Sequence, residues 1–397
     1  MLLQAGQLLS SIGTQTTAVA YPLLVLALTG SAGKAGAVAF AQAVPLALVA
    51  LPAGVAADRW NRRSLMIAAD GIRVVAIGSL AVALAGGHVT FWAILTVAFV
   101  EGTGAAVFAA SHPGALRSTV SIQQLPAAVA AQTGREAAVG VVGPILGGAL
   151  FGLARALPFV VDAISYAFSS LSLLAMRTPF QEERAADLSS LRSRLADGFS
   201  FLWSEPFLRT SALLFGLANF LGPGLLLAVV VIGTQQGLSS GAVGLIVALF
   251  GACILLGAIL SPFVRRLLPV RAVLLLELWT WLGCAVFLVR PDVYVLVAGM
   301  LPTALAIPST DSVVHAYRIA LTPDRLLGRA EAVRRTISLL IAPVGPLVAG
   351  ALLAAVSPRA TVAVFAATAL ALAIWGTLSP SLRAPRAPID AGGVRLV

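Results

Sequence analysis

The sequence predicts an all-α membrane protein with twelve transmembrane helices in two pseudo-symmetric six-helix bundles, from its composition, its apolar segments and an internal repeat. Hydrophobic residues make up 59% of its 397 residues and charged residues only 11%, whereas globular proteins carry about 25% charged residues. The mean hydropathy is +0.97. At about 20 residues for each span, the hydrophobic share of the chain supplies about twelve spans. The composition therefore excludes a soluble domain.

Apolar segments of helical length recur along the whole chain, separated by glycine, proline and charged residues. They predict spans at 2–28, 36–57, 64–86, 90–111, 127–153, 159–176, 207–231, 240–262, 271–289, 291–313, 329–355 and 358–378. No positively charged stretch precedes the first segment, so we expect a first span there and not a signal peptide. Cys253 and Cys284 lie inside spans 8 and 9, where we expect them to pack and not to form a disulfide or metal site.

The basic residues predict the orientation of the chain in the membrane. The net charge is +10, but the 26 basic residues are dispersed with no run longer than two, which disfavours nucleic acid as a partner. Connectors on the side of both termini carry 17 basic residues, and connectors on the opposite side carry 4. Because basic residues concentrate in cytoplasmic loops, we expect a multi-pass protein of the cytoplasmic membrane with both termini in the cytoplasm.

A polar connector divides the chain into four predicted regions. These are an N-terminal six-helix bundle at 1–176, a cytoplasmic linker at 177–206, a C-terminal six-helix bundle at 207–378 and a cytoplasmic tail at 379–397. In the linker, apolar residues recur at intervals of three and four, namely Leu188, Leu191, Leu195, Phe199 and Leu202. This period predicts an amphipathic helix, whose simplest place is along the cytoplasmic membrane interface.

The two bundles carry a weak internal repeat. GPILGGAL in span 5 matches GPLVAGAL in span 11, and the arginine-rich turn between spans 2 and 3 matches VRRLLPVR between spans 8 and 9, at an offset of about 202–208 residues. A duplicated six-span unit is typical of transporters whose substrate site lies between the repeats near the middle of the membrane. The repeat therefore predicts a transporter with a small-molecule substrate and the lipid bilayer as its surroundings.

The turn after span 2 reads GVAADRWNRR, and it resembles the loop signature of the major facilitator superfamily. The signature of a glycine, a small residue, an aspartate and arginines falls on Gly54, Ala57, Asp58, Arg59, Arg62 and Arg63. In that family such contacts latch the cytoplasmic side shut, so the resemblance implies a gating loop and the major facilitator fold. Gly54 would allow close helix approach, and Asn61 would take left-handed geometry in the turn. The alternative is that these arginines only anchor the loop on the cytoplasmic side.

Span 5 carries GVVGPILGG, which resembles the antiporter motif of drug–proton exchangers. The match falls on Gly143, Pro144, Gly147 and Gly148, with Val139 where the motif has its first glycine. Small residues at this spacing let helices approach closely and proline bends a helix, so a tight and movable joint is one interpretation. Ordinary helix packing is the other.

Three further segments, FVVDAISYAFSS, GFSFLWSEPFLR and TPDRLLGRAEAVRR, are similar to the macrolide-efflux and enterobactin-exporter-like branch of the superfamily. The resemblance covers nearly the whole chain. It implies export driven by the proton gradient, with no other cofactor.

Glu101 lies near the middle of span 4, with no basic residue within four positions to pair with it. The arginine that a superfamily motif places three residues before it is Ala98 here. An ionisable group deep in a membrane is a functional candidate, so Glu101 is expected to carry a proton or bind a cationic substrate, or else to be a neutral, hydrogen-bonded structural residue. Arg135 and Glu136, about two turns inside span 5, are further candidates for proton coupling.

Other acidic residues fit structural roles. Asp70 and Arg73 have the i, i+3 spacing of a local ion pair near a cytoplasmic helix end. Asp162, Glu277 and Asp311 are within reach of the membrane interfaces, where a charged side chain can extend towards water.

A polar stripe on span 1 predicts part of the substrate cavity. Gln7, Ser11, Thr14 and Gln15 lie on one face at helical spacing, and Asn219 in span 7 is their polar counterpart. A cavity with few fixed charges and nearby aromatic residues suits amphipathic molecules.

The sequence therefore predicts proton-coupled efflux of small amphipathic molecules, such as antibiotics or natural products, by alternating access in a monomer. An exporter of siderophores or other metabolites is the alternative with the same fold, and a non-transporting membrane sensor or scaffold is the alternative from another class. No nucleophile and base pair, metal-ligand spacing or phosphate-binding loop stands out, so we expect neither an enzyme nor an ATP-driven pump.

Overall fold

The computed structural model describes residues 2–119, 125–176 and 191–383, and this part of the chain is helical and contains no strand. The helices of the first half are α1 Leu2–Thr29, α2 Ala32–Leu48, α3 Ala50–Arg59, α4 Arg62–Ala85, α5 Phe91–Thr119, α6 Leu125–Leu153 and α7 Leu157–Ala175. Those that follow are α8 Leu191–Ser204, α9 Pro206–Ala218, α10 Leu221–Gln235, α11 Ser240–Leu267, α12 Val270–Thr280 with a 3-10 continuation Trp281–Leu288, α13 Val293–Leu321, α14 Asp324–Ile341, α15 Val344–Ala355, α16 Pro358–Leu378 and α17 Pro380–Arg383.

The helices account for the predicted membrane spans. In the described part of the chain, 11 helices are long and apolar enough to cross a membrane, and the bent pair α2 and α3 makes a twelfth when it is counted as one span. Span 7 is built from α9 and α10, and span 11 from α14 and α15. The prediction of twelve spans is confirmed on this count. The first part of the predicted linker, 177–190, and the tail from 384 lie outside the described residues.

The connections after spans 1 and 7 show the internal repeat in three dimensions. Gly30 and Gly237 lie 207 residues apart, and they have φ angles of +63° and +83°, a backbone region that suits glycine. In both connections a following serine, Ser31 or Ser239, accepts a hydrogen bond from the backbone N–H three residues later at 3.3 Å. The same local signals therefore end span 1 and span 7 and begin the next helices.

The chain forms two compact units. Unit 1 consists of residues 1–185, 226–252 and 346–355, and unit 2 of residues 186–225, 253–345 and 356–397. Within unit 1, α1 packs against α2, α6 and α7, while α4 packs against α5 and α7. Within unit 2, α13 packs against α12 and its 3-10 continuation, and α14 packs against α8 and α9. The predicted division into bundles at 1–176 and 207–378 stays a prediction.

The linker helix α8 packs against α14 inside unit 2. Asp197 pairs with Arg329 at 2.6 Å, and Leu202 is 1% exposed. A Cβ at Gly198 would lie 2.6 Å from the Arg329 carbonyl carbon, so glycine permits this close approach. The described part of α8 thus packs on another helix through Leu202, while Phe199 is 48% exposed, and its predicted place along the membrane interface stays a prediction.

Candidate functional site

Unit 1 buries a group of polar and charged side chains between α1, α2, α4, α5 and α7. We call this group the buried polar cluster; it consists of Thr14, Thr17, Tyr21, Gln42, Asp70, Arg73, Glu101, Asp162, Ser165 and Tyr166. Thr14 and Gln42 are partly exposed, and the other members are at most 8% exposed. Because polar groups inside a membrane must be satisfied within the protein, these contacts hold the five helices in register.

Glu101 lies in the middle of this cluster, only 1% exposed. Its Oε2 accepts a hydrogen bond from Gln42 Nε2 at 3.0 Å, and its Oε1 accepts one from the Tyr166 hydroxyl at 3.1 Å. The next residue lets α2 come close enough, because a Cβ at Gly102 would overlap the Gln42 carbonyl group. Both carboxyl oxygens are therefore hydrogen-bonded to groups from other helices.

Arg73 connects the acid in its own helix with Tyr166. Its guanidinium lies 3.3 Å from Asp70 Oδ1 and donates to Thr14 Oγ1 at 3.1 Å. It also donates to the Tyr166 hydroxyl, and it lies over the Tyr166 ring, 3.6 Å from the ring centre. The predicted ion pair with Asp70 is present, but Arg73 reaches beyond that pair and into the buried polar cluster that contains Glu101.

The cation that the sequence of span 4 lacks is supplied by span 3. Ala98 occupies the position where the superfamily motif has an arginine, while Arg73 enters the cluster from α4. A Cβ at Gly104 would lie 2.6 Å from Arg73 Cγ, so a glycine in α5 makes room for the arginine stem. A glycine on the helix of Glu101 therefore makes room for an arginine from the neighbouring helix α4.

Asp162 belongs to the cluster, although the sequence places it within reach of an interface. It is 0% exposed, and it accepts hydrogen bonds from Thr17 Oγ1 at 2.9 Å and from Ser165 Oγ at 3.3 Å. A Cβ at Gly13 would overlap the Asp162 carboxyl group, so α1 lies directly against it. The expectation that Asp162 extends towards an interface is wrong, because its helix turns this residue towards α1.

The sequence contains a signal for these members of α7 that hydropathy alone does not show. Asp162, Ser165, Tyr166 and Ser169 recur at intervals of three, one and three, and all four are buried. Polar residues at helical spacing within an apolar segment indicate a face that meets other helices and not lipid. This face contributes both Asp162 and Tyr166 to the site.

The predicted polar stripe of α1 divides between the cluster and its surroundings. Thr14 Oγ1 lies 2.8 Å from the Tyr166 hydroxyl and belongs to the cluster. Gln7 and Ser11 are partly exposed and Gln15 is exposed, so they remain accessible in unit 1.

Arg135 and Glu136 lie outside the cluster. Arg135 donates a hydrogen bond to Gln4 Oε1 at 2.7 Å, and exposed Glu136 accepts one from Gln132 Nε2 at 2.9 Å. These partners tie Arg135 to the beginning of α1, and α6 does not bring either residue to Glu101.

Asn219 is in unit 2, where it is exposed. Its Nδ2 donates to the Phe215 carbonyl at 2.8 Å and lies 3.3 Å from Ser338 Oγ. It ends α9 as the C-cap residue, so the predicted span 7 is interrupted at this polar position.

The predicted gating loop forms the turn between α3 and α4. Arg63 Nε and one terminal nitrogen donate to the Leu173 and Leu174 carbonyls of α7 at 2.8 Å and 2.6 Å. These carbonyls are at the end of α7, where a helix leaves carbonyl groups unpaired. Arg63 is therefore a side-chain cap that ties the turn to span 6.

The other residues of this loop make local contacts, pack against α5 or are exposed, and a Cβ at Gly114 would lie 2.5 Å from the Arg62 guanidinium carbon. Arg62 lies 3.7 Å from Asp58, which is 64% exposed, and donates to the Ala57 carbonyl at 3.2 Å. Arg59 is exposed as well. The expectation of close helix approach at Gly54 is wrong, because a Cβ there would meet no atom within 4 Å.

Asn61 does not adopt the left-handed geometry that we expect of it, and it caps a helix instead. Its φ of −61° lies outside the left-handed region, and its side-chain oxygen accepts hydrogen bonds from the N–H groups of Arg63 and Ser64 at 2.9 Å and 3.2 Å. Asn61 is therefore the N-cap of α4.

The glycines of the antiporter-like motif allow close helix contacts. A Cβ at Gly143 would overlap Gln15, one at Gly147 would lie 2.5 Å from the Thr16 carbonyl oxygen, and one at Gly148 would lie 2.9 Å from Gly244 Cα. Pro144 lies within α6, whose helix continues through it. The motif thus packs one face of α6 against α1 and another against the part of α11 that belongs to unit 1.

Comparison with known proteins places this architecture in a family. The sequence model of the Major Facilitator Superfamily matches residues 5–271. The multidrug efflux pump Tap of Mycobacterium tuberculosis is 29% identical over 227 residues, which cover 53% of this chain and 52% of that protein. The chain thus matches about half the length of that relative. The multidrug efflux pump Tap of Mycolicibacterium fortuitum is 26% identical over 412 residues and is matched over 96% of both chains.

A solved structure supports the same fold. The crystal structure of a bacterial homologue of iron transporter ferroportin in the inward-facing state has a TM-score of 0.72 and 18% identity, and covers 95% of this chain and 97% of that one. The helices, the twelve spans and the family match agree that this is a multi-pass membrane protein and not an enzyme. The chain therefore belongs to the Major Facilitator Superfamily.

Proposed function

We propose that this protein exports small amphipathic molecules, such as antibiotics or natural products, and that inward proton movement drives the export. The observation that carries the proposal is Glu101, a carboxyl group that is 1% exposed within a membrane span and hydrogen-bonded to side chains of two other helices. The names of the two Tap relatives support export of several drugs.

Energetics support a working role for this carboxyl group. An acidic residue at the middle of a membrane helix costs about 2.5–3.5 kcal/mol on insertion scales, and hydrogen bonds to a charged group return about 1.5–3 kcal/mol each. The donors from Gln42 and Tyr166 stabilise the charged form of Glu101, and protonation removes the charge. Burial and these two donors therefore act in opposite directions on the charged form, so a change in either would favour gain or loss of the proton.

The neighbouring side chains link that exchange to helix contacts. When Glu101 is charged, Tyr166 donates to it while accepting from Arg73. When Glu101 is protonated, the tyrosine hydroxyl is free to accept from it instead, since a hydroxyl group both donates and accepts. Protonation therefore reverses the hydrogen bond that joins α5 to α7 and frees the tyrosine proton for another acceptor, which links the charge of Glu101 to this helix contact.

The gradient supplies enough energy for export. One proton entering through a potential of 100 mV releases about 2.3 kcal/mol, and one pH unit adds about 1.4 kcal/mol. For an uncharged substrate, together they support a ratio of roughly 500-fold for one proton exchanged. We propose a monomer in the cytoplasmic membrane with both termini in the cytoplasm, and no cofactor besides the proton gradient.

Transport in proteoliposomes tests the proposal. We expect an imposed pH gradient to drive the fluorescent amphipathic dyes ethidium and doxorubicin across the membrane, and Glu101→Gln to move them without responding to the gradient. Asp292→Asn is the matched control, because Asp292 caps α13 outside the spans and asparagine also caps. Dye movement that ignores the gradient in the unaltered protein, or full coupling in Glu101→Gln, would contradict the proposal.

The same assay separates the alternatives. A siderophore or metabolite exporter would show gradient-driven movement only with those substrates, and a sensor or scaffold would show none with any substrate. A transporter would use both the close glycine contacts of α6 and the buried acid, whereas a scaffold would need neither.

A further inference from the structure

The buried polar cluster contains more acids than cations. Asp70, Glu101 and Asp162 are each at most 1% exposed. Arg73 is the only buried arginine or lysine among the described residues of unit 1. Arg73 already pairs with Asp70 at 3.3 Å. Two buried carboxyl groups are therefore left without a cation of their own.

A cluster with three charged carboxylates and one guanidinium would hold two excess negative charges inside the membrane. An uncompensated buried charge costs several kcal/mol, and like charges in one site raise that cost further. Protonation is the route by which such groups become neutral. Charge balance therefore requires two protons in the cluster, and Glu101 and Asp162 are the two groups that can hold them.

The surroundings of Asp162 suit an acid that alternates between two forms. Thr17 donates to Oδ2 at 2.9 Å, and Ser165 donates to Oδ1 at 3.3 Å. Both partners are hydroxyl groups, and a hydroxyl group also accepts a hydrogen bond from a protonated carboxyl. The groups that face Asp162 from α1, α4, α5 and α7 are Thr17, Tyr21, Arg73, Glu101, Ser165 and Tyr166.

Tyr21 is buried beside both acids. Its hydroxyl group is within hydrogen-bonding range of Glu101 and within electrostatic range of Asp162. Its ring packs edge-on against Phe159 at 5.2 Å between ring centres, which fixes its position. Tyr21 follows Thr17 by one turn of α1, so both hydroxyl groups lie on the same face.

We propose that Asp162 is a second proton-carrying residue and that Tyr21 passes a proton between Glu101 and Asp162. In this step the Glu101 O–H bond breaks as its proton moves to the Tyr21 oxygen. The Tyr21 proton moves to Asp162, where a new O–H bond forms, and tyrosine is restored. The role of this second proton in export rests on the proposed function of the protein.

Infrared difference spectroscopy of the protein in lipid nanodiscs, between acidic and alkaline buffer, tests protonation without a substrate. We expect two carbonyl bands from the protonated acids of unit 1 that shift in heavy water, beside the band of Glu277, a buried acid of unit 2 that Glu277→Gln identifies. Glu101→Gln should remove one unit 1 band, Asp162→Asn the other, and Asp292→Asn neither. A single unit 1 band in the unaltered protein, or two in Asp162→Asn, would overturn the proposal.

Two further variants keep the test informative if Asp162→Asn folds poorly. Asp162→Glu retains an acid at that place, so one band should move and not disappear; an unchanged spectrum would contradict the assignment. Tyr21→Phe keeps the packing against Phe159, so both bands should remain while the rate of proton exchange at one of them falls at least tenfold. Equal exchange rates in Tyr21→Phe and the unaltered protein would remove Tyr21 from the pathway.

The number of protons used in transport is measured separately. At zero membrane potential, each exchanged proton contributes about a tenfold ethidium ratio for each pH unit. We expect about 100-fold for the unaltered protein and about tenfold for Asp162→Asn. Equal ratios in the two proteins would overturn Asp162 as a coupling residue, whereas dye movement that ignores the gradient in both would contradict the proposed function and leave the infrared result standing.

Discussion

The two repeats of this chain share their helix caps but differ in what they bury. Arg63 at the beginning of span 3 donates to the last carbonyls of span 6, and Arg271, 208 residues later, donates to the Thr377 carbonyl at the end of span 12 at 3.2 Å. The same arginine thus ties the same pair of helix ends in each repeat. Duplication has retained the contacts that hold the helices together.

The residues of the buried polar cluster are not repeated at the corresponding positions of the second half. Glu277 lies 207 residues after Asp70, but Thr280, 207 residues after Arg73, replaces the arginine. Leu372, 206 residues after Tyr166, replaces the tyrosine, and Pro308, 207 residues after Glu101, replaces the acid. The comparison teaches that the repeat preserves a scaffold, while the proton-binding chemistry that we propose belongs to unit 1.

The largest effect is expected from removing the cation of the cluster. Arg73→Met leaves the buried acids without a cation and should destabilise the protein by about 3–5 kcal/mol, measured by unfolding in mixed micelles. Arg334→Met in unit 2 is the control. Glu331 keeps Arg318 at 3.0 Å in this variant, so the protein should lose only about 1 kcal/mol of stability. Similar losses of stability in both variants would show that the cation of the buried polar cluster contributes no more stability than Arg334 does in unit 2.

A smaller effect is expected from removing one donor to Asp162. Thr17→Val deletes the hydrogen bond to Oδ2 and should cost about 1–3 kcal/mol in the same unfolding measurement. Thr368→Val in α16 is the control, because the half-buried Thr368 donates to a carbonyl of its own helix at 2.9 Å. If both substitutions were neutral, the polar contacts of unit 1 would carry no more stability than a threonine bonded within its own helix.

The shared caps should respond alike. Arg63→Ala and Arg271→Ala each remove a side-chain cap and should each cost about 0.5–1.5 kcal/mol. Dye transport is then measured in the same two variants. If Arg63→Ala reduced dye transport far more than Arg271→Ala at equal stability, the predicted gating role of the first loop would be added to its capping role.

The smallest effect is expected at Glu277. Glu277→Gln keeps a polar group of the same shape and should change stability by less than about 1 kcal/mol. In proteoliposomes its dye transport should respond to the pH gradient as the unaltered protein does. A loss of coupling as large as that of Glu101→Gln would place proton chemistry in both units and overturn the contrast between them.

The spans and the repeat could be predicted because hydropathy and local turn signals act along the chain. The ion pair between Asp70 and Arg73 was predictable for the same reason, since its spacing is local. Hydropathy gives the depth of a residue in the membrane but not the side of the helix that faces lipid. It therefore places Asp162 within reach of an interface and does not single out Tyr166.

The assembly of the cluster depends on contacts between helices that the sequence does not pair. Gly104 opens space for Arg73, and Gly102 brings Gln42 to Glu101, yet each glycine by itself indicates only close packing. Arg135 and Glu136 have the same kind of local signal as Glu101, but the rotation of α6 gives them other partners. The rotation and pairing of the helices therefore determine which of the predicted residues are in contact.

The hydrogen bond from Gln42 to Glu101 has a consequence for motion. Gln42 lies one turn before Pro45 and two turns before Val49, where the helix bends into α3. Proline leaves one backbone hydrogen bond of that helix unmade, which makes bending easier there. The acid that we propose to gain and lose a proton is thus attached to a span that bends by 51°, so a change in this hydrogen bond would act close to the bend.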